Sequence, residues 1–254
     1  MRVVRWFLLP IVLIGVWWAA SAGGRNFFLP TPPAVAKAFG PTWTWPTIRA
    51  DVVPSVVRLL VGFAIAGVAG VLLGLAIGSS ARLRAYTEPV LEFLRAVPPP
   101  VLVPVVMLFA GIDDTMKITV IGFGCVWPVL LNTIEGVRAV DPVLGEVCRA
   151  YRIGRLTRLR TLVLRGASPQ IMTGLRQALA IAIILMVISE MFAASSGLGF
   201  TIVQFQRSYA IPEMWTGIIL LGLLGVVLAG LFGLAERVVL RWYFGLRRSG
   251  RGAQ

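Results

Sequence analysis

Residues 141–179 read DPVLGEVCRAYRIGRLTRLRTLVLRGASPQIMTGLRQAL, and the reading of this stretch decides the fold. Hydrophobic runs crowd both sides of it, yet it carries Arg149, Arg152, Arg155, Arg158, Arg160, Arg165 and Arg176. Guanidinium groups stay charged at any physiological pH, so the segment belongs in water or against an acidic partner. Its local grammar is nonetheless that of ordered structure. Asp141-Pro142 is a helix start, because the carboxylate can cap free amides and proline fits the first turn. A helix can run from there through Glu146 to about Tyr151, and Gly154 offers a stop. Leu156, Leu159, Leu162 and Val163 then place an apolar stripe at helical spacing. Ser168-Pro169 is a second helix start, opening the next apolar span. The expectation is two short helices hung beneath a membrane. A basic loop taken alone is explained by topology and anionic headgroups. The order helix, glycine, amphipathic helix, proline, membrane helix describes a rigid lever instead of a lipid-binding tail.

Working outward, the 254 residues are 57% hydrophobic and 14% charged, against about 25% charged in soluble domains. With a mean hydropathy of +0.85, this is the composition of a polytopic, all-α membrane protein. The 24 basic and 11 acidic residues leave a net charge of +13, which suits anionic lipid headgroups or an acidic partner. Nucleic acid does not fit, since the excess sits beside hydrophobic spans and not in a separate basic domain. Two cysteines, Cys125 in an apolar span and Cys148 in the Arg-rich stretch, exclude a disulfide framework and a cysteine zinc site. The absence of histidine removes imidazole catalysis and histidine metal ligation, so neither a catalytic nor a metal site is expected. The two lysines, Lys37 and Lys117, do not end a phosphate-cradling glycine loop. If ATP and Mg²⁺ power the protein, another chain must hold them, and no cofactor is expected here.

Six spans are expected, at about 6–22, 52–78, 90–110, 118–134, 171–193 and 214–235, with a loop at about 136–170, all in one membrane domain. The first run, with Trp6, Trp17 and Trp18 near its ends, reads as a retained helix, the alternative being a cleaved signal peptide. Residues 23–51 are too rich in proline and polar groups to span. In the second span Gly62, Ala66, Gly70, Gly74 and Gly78 recur every four residues, a small-residue ridge suited to helix packing within the bundle or, alternatively, at a subunit interface. Arg58 can snorkel to the surface. The third span contains Pro98, Pro99, Pro100 and Pro104, which no regular helix can house, and irregular backbone at membrane depth belongs where it is buried in protein or lines a wet cavity. These prolines, with Asn132 and Met186, are the candidates for lining a pathway. Glu92 and Arg95 can neutralise each other across one turn, and GIDDTMK reads as a short turn. With the N-terminus inside, the cytoplasmic side receives Arg2, Arg5, Arg82, Arg84, the Arg-rich stretch and the C-terminal arginines; the outside receives only Arg25, Lys37, Arg49, Lys117 and Arg207. This asymmetry puts both termini in the cytoplasm.

The Arg-rich stretch resembles the cytoplasmic signature of the permease subunits of binding-protein-dependent ABC importers, which begins Glu-Ala-Ala, has Gly six residues after the Glu and ends in Leu-Pro. Glu146 and Leu164 stand at the family positions, and Pro169, Ile171, Thr173, Gly174, Leu175, Arg176, Ala178 and Leu179 match the continuation. The likeness runs along the chain through FLPTPPAV, SVVRLLVGF, LRAVPPPVLVPVVMLFAGI, LLNTIEGVRAVDP, SEMFAASSGLG and AERVVLRW. It points to the branch serving taurine, aliphatic sulfonates, nitrate, bicarbonate and some pyrimidine precursors. The sequence departs from the signature: Val147 and Cys148 replace the alanines, Arg152 takes the glycine position, Arg165 replaces the proline, and Gly154 lies two residues late. The departures point to a shifted turn and to a loop tuned to one ATPase surface, and leave open whether the second permease is identical or different.

The resemblance implies a bacterial inner-membrane importer in which two permease chains, identical or different, form the pathway for a small anion. A dimer of cytoplasmic ABC ATPases would bind the loop through Asp141, Glu146, Arg149, Arg152, Gly154, Arg155, Leu156, Arg158 and Leu159. A solute-binding protein outside would deliver to residues 23–51 and 194–213. Glu190 is the one carboxylate of the later spans; counted from Ile171 at 1.5 Å per residue it falls roughly 28 Å along its helix, near the outer interface, where a structural role is expected. That position weakens the rival class, an ion- or proton-coupled secondary transporter, which needs ionisable groups at the midplane. A scaffold without transport leaves the proline-broken span unexplained.

Overall fold

The computed structural model describes residues 2–24, 27–192, 194–243 and 245, and every regular element among them is helical. In chain order these are α1 (Arg2–Ser21), α2 (Pro32–Thr42), α3 (Trp45–Gly78), α4 (Ala81–Ala96), α5 (Leu102–Ala110), α6 (Asp114–Arg138), α7 (Pro142–Ala150), α8 (Arg155–Phe192), α9 (Leu198–Arg207) and α10 (Ile211–Val239). Arg25, Arg247, Arg248 and Arg251 lie outside the described residues, as do the side chains of Arg2, Arg5 and Trp6. By length and composition, α3, α6, α8 and α10 can each cross a membrane. Within α1 the apolar helix Leu8–Ser21 is shorter.

The third expected span is corrected. It is not one helix over 90–110 but two, α4 and the segment Pro99–Ala110, bent by 71° and able to make a fifth span only together. Val97 is extended (φ −72°, ψ 118°) because the residue before a proline is pushed out of the helical region, and a single 3₁₀ turn at Pro99–Val101 then leads into α5. Pro104 falls in the first turn of α5, where an amide is not needed. Arg82 and Arg84 are not loop residues: they sit in the first turns of α4, which Ser80 caps by accepting the Leu83 amide at 3.3 Å. The GIDDTMK turn is likewise shorter than expected, since α6 begins at Asp114 and includes Met116 and Lys117.

The chain divides into two units. The first comprises Met1–Val56 and Glu190–Leu224. Here three indoles tie the proline-rich segment to the start of α10. Trp17 stacks on Trp215 at 5.4 Å and donates to the Pro30 carbonyl at 3.0 Å. Trp215 donates to the Phe28 carbonyl at 3.1 Å, and buried Trp43 donates to Thr216 Oγ1 at 2.9 Å. The second unit, Val57–Ser189 and Gly225–Gln254, is built around α6. Added Cβ atoms on Gly62, Gly70, Gly74 and Gly78 would lie 2.8, 2.8, 2.5 and 2.9 Å from Ile121, Val129, Thr133 and Val137. The glycine ridge of α3 therefore lies against a ridge of α6 with the same spacing of four. Another side of α6 meets α8: Cys125 Sγ donates to the Ala178 carbonyl at 3.2 Å, and a Cβ on Gly174 would sit 2.6 Å from the Pro128 carbonyl oxygen.

Arg58 does not snorkel. Its side chain is 5% exposed and its Nε donates to Asp114 Oδ1 at 2.7 Å, with Lys117 Nζ 3.6 Å from the same oxygen. Burying a guanidinium is tolerable only with such a partner. Asp114 is 56 positions away in sequence, too distant for local rules to find.

Candidate functional site

Asp141 Oδ1 accepts the Val143 amide at 2.8 Å and Pro142 occupies the first turn, so α7 starts at this local signal. Its end differs from expectation. Arg152, and not Gly154, adopts the left-handed conformation, at φ +52°. Around it the Ile153 amide donates to the Cys148 carbonyl at 2.9 Å and the Arg152 amide to the Arg149 carbonyl at 3.0 Å. This is the Schellman closure, normally built on glycine. Gly154 is extended (φ −57°, ψ 148°) and is the N-cap of α8. The turn thus stays at the family's glycine position even though the glycine is gone.

Beyond Gly154 there is no second start at Ser168-Pro169. Residues 155–192 form one helix, α8, containing the π-turn Leu159–Val163. Pro169 removes the amide that would bond the Arg165 carbonyl, and Ser168 Oγ donates to that carbonyl instead, at 2.8 Å. With that acceptor satisfied, the helix passes through the proline unbroken. The amphipathic stripe and the following apolar span are therefore one rigid body.

Asp141, Arg149 and Arg158 come together around a pocket of about 270 Å³, floored by Gly78, Ser79 and Val137. Gly145 is buried there, and a Cβ on it would meet Arg158 Nη2 at 3.5 Å. Glu146 pairs with Arg149 at 3.6 Å, a solvent-exposed contact of little energetic weight. Arg152, Arg155, Arg158, Arg160 and Arg165 have no ion-pair partner among the described residues. Around them Val143 (62% exposed), Tyr151 (79%) and Leu156 (69%) present apolar surface, while Leu159 is half-buried. Tyr151 and Val143 escape a reading that follows the arginines, although α7 is amphipathic enough to reveal Val143.

The pathway candidates scatter. Pro98 and Pro104 are exposed, and Pro99 and Pro100 half-buried. Pro99 packs on α6, where a Cβ on Gly124 would lie 3.2 Å from it. Asn132 Nδ2 donates to the Pro128 carbonyl at 2.8 Å and to Gln177 Oε1 at 3.3 Å, linking α6 to α8. Met186 is 0% exposed within this chain. Leu185 is buried beside it, against Gly124 of α6.

A second polar cluster lies in the first unit and was visible in the sequence only as the motif SEMFAASSGLG. Glu190, 1% exposed, accepts from Ser55 Oγ at 2.7 Å and from the Gly199 amide at 3.0 Å. Ser55 Oγ in turn accepts the Leu198 amide at 2.9 Å, and Asp51 Oδ1 accepts the Gly197 amide at 3.0 Å. Three amides at the head of α9 are thus satisfied by side chains of α3 and α8. Gly197 has φ +126° and any Cβ there would collide with the Glu190 carboxylate, so only glycine fits. Glu190 caps and anchors a loop, the structural role that its depth suggested.

A family model described as the binding-protein-dependent transport system inner membrane component matches residues 66–241. The chain is 33% identical, over 95% of its own length and 92% of the other, to a permease protein assigned to aliphatic sulfonates transport in Escherichia coli. It is 29% identical to the taurine transport system permease protein of the same organism, covering 89% and 86% of the two chains. The bicarbonate transport system permease protein of Synechococcus elongatus is 30% identical over 78% and 69%. In fold it is similar to the methionine ABC transporter in an inward-facing conformation, with a TM-score of 0.62 at 20% identity, over 78% of this chain and 98% of that one.

Proposed function

Because the chain belongs to the inner membrane components of binding-protein-dependent transport systems, the non-catalytic permeases of ABC importers, we propose that it conducts a small anion inward and takes its power from a separate ATPase seated on residues 141–159. The observation that carries this reading is the pairing of unpartnered arginines with exposed apolar side chains on a closed turn joined directly to α8. Exposed Val143, Tyr151 and Leu156 supply apolar area for a groove on the ATPase. Arg155 and Arg158 supply fixed charge for its carboxylates. ATP and Mg²⁺ are held by that partner, and nucleotide-driven motion of the partner passes through α7 into α8.

The fit to relatives that transport sulfonates, taurine and bicarbonate supports a small anion as the solute. The whole chain acts as one permease domain, with a second permease chain, identical or different, completing the pathway. Both termini and the arginine segment face the cytoplasm, lipid headgroups meet the remaining arginines, and the solute-binding protein docks over residues 23–51 and 194–213. The test is Arg155→Glu combined with Arg158→Glu. The doubly reversed permease is expected to keep its helical circular dichroism and monodisperse elution while losing co-purification with the ATPase. Co-purification at the wild-type level would overturn the docking assignment.

A further inference from the structure

The end of α9 carries a strained residue that neither the fold nor the docking segment uses. Tyr209 has φ +56°, a left-handed backbone that crowds the Cβ of any side-chain-bearing residue. Glycine would close the helix at no such cost, since the closure itself is ordinary: the Ala210 amide donates to the Phe205 carbonyl at 2.9 Å and the Tyr209 amide to the Gln206 carbonyl at 3.2 Å. What the strain achieves is placement of the Tyr209 side chain, 67% exposed, on the wall of a cavity of about 610 Å³ beside Phe28, Gln206 and Met214. Backbone outliers of this kind are a reason to look for function.

Arg207 lines the same cavity, and also a neighbouring one of about 270 Å³ with Phe200, Gln204 and Met191. Its guanidinium has no ion-pair partner among the described residues. The last carbonyls of α9 do not occupy it either, for they accept the backbone amides of the closure and, at Gln204, the Ser208 hydroxyl at 3.0 Å. Among the described residues no Asp or Glu lines either cavity. In the larger cavity an exposed cation without a carboxylate, beside the Gln206 amide, a phenol and apolar side chains, is the recognition chemistry for an anionic head on a short apolar body.

We propose that Arg207 and Tyr209, with Gln206 beside them, form a recognition site for small oxyanions, organosulfonates foremost, at the end of α9. Arg207 bonds the oxyanion through its planar fork, and the Gln206 amide donates to a remaining oxygen. The Tyr209 ring and Met214 cover the apolar end. This rests on the reading of the chain as an anion permease and adds to it the residues that select the solute.

The experiment measures import of ethanesulfonate, nitrate and bicarbonate by the full permease–ATPase complex in proteoliposomes, supplied with its binding protein. Arg207→Gln is expected to raise the KM for ethanesulfonate about tenfold or more, the effect of one lost charge-assisted hydrogen bond. Arg207→Lys recovers part of it, and Tyr209→Gly raises the KM for ethanesulfonate more than that for nitrate, which has no apolar end. Import by the wild type with an unchanged KM in Arg207→Gln would overturn the site and leave the anion permease standing. No import of any of the three anions by the wild type would overturn the solute class, and the site with it. The affinity of the binding protein for the complex is measured in parallel. If Arg207→Gln weakens that docking to the same degree with and without ethanesulfonate, the residue contacts protein and the proposal falls.

Discussion

At the scale of single residues, the most informative position is Arg152. A left-handed arginine costs about 1–2 kcal/mol over glycine in sterics, and glycine gives back about 0.5–1 kcal/mol in chain entropy. Arg152→Gly is therefore expected to stabilise the turn by about 0.5–1 kcal/mol, which corresponds to a roughly two- to fivefold slowing of amide exchange at Arg152 and Ile153. Faster exchange at those amides would mean that the arginine side chain itself holds the turn. The departures from the signature suggested a shifted turn, because local rules assign the left-handed position to the nearest glycine, yet the turn stays at Arg152. Gly154 attracted that assignment and turned out to be an N-cap. Glu190 shows the opposite balance: its depth along the helix gave its structural role, whereas its partner Ser55 lies 135 positions away and no local pattern connects them.

At the scale of elements, the four-residue ridge of α3 was readable because small residues at that spacing have one physical use, close approach. Which surface approaches was not readable, since bundle packing and a subunit interface ask for the same residues. The answer lies in the matched spacing of Ile121, Val129, Thr133 and Val137 on α6. A Cβ on Gly74 would come within 2.5 Å of the Thr133 Cβ and 3.0 Å of the Leu130 carbonyl oxygen, so no rotamer change relieves it. Gly74→Leu is expected to cost about 3 kcal/mol or more by forcing α3 off α6, seen as a lowered thermal midpoint of the detergent-solubilised protein. Gly230→Ala in α10 serves as its contrast: nothing lies within 4 Å of a Cβ there, and helix propensity favours alanine by about 1 kcal/mol. Equal losses in the two variants would remove the ridge as a packing element. The prolines divide in the same way. Pro98 to Pro100 bend the third span by 71° as their missing amides require, while Pro169 leaves α8 intact because a neighbouring hydroxyl takes the orphaned carbonyl.

For the molecule as a whole, the all-α membrane class followed from hydropathy alone, and the position of the broken span followed from its prolines. The unity of α8 did not follow, because a Ser-Pro pair is a helix start by every local rule. On the proposed coupling, that unity bears on how force would travel. If the docking helix were a separate element joined by a flexible link, motion of an ATPase could be absorbed before reaching the membrane. A continuous helix from Arg155 to Phe192 would transmit it. Its cost is one π-turn, Leu159–Val163, which re-aims the helix without breaking it. Insertion of Gly-Gly between Leu164 and Arg165 would leave α7, its cap and its Schellman turn untouched while making the lever compliant. The expected result is an assembled complex that still hydrolyses ATP but imports little solute, with import per ATP down about tenfold or more, in line with transmission through a positioned rigid element. Import and hydrolysis falling in equal proportion would show that the insertion damages docking instead. Import unchanged would show that motion reaches the membrane helices by a route other than α8.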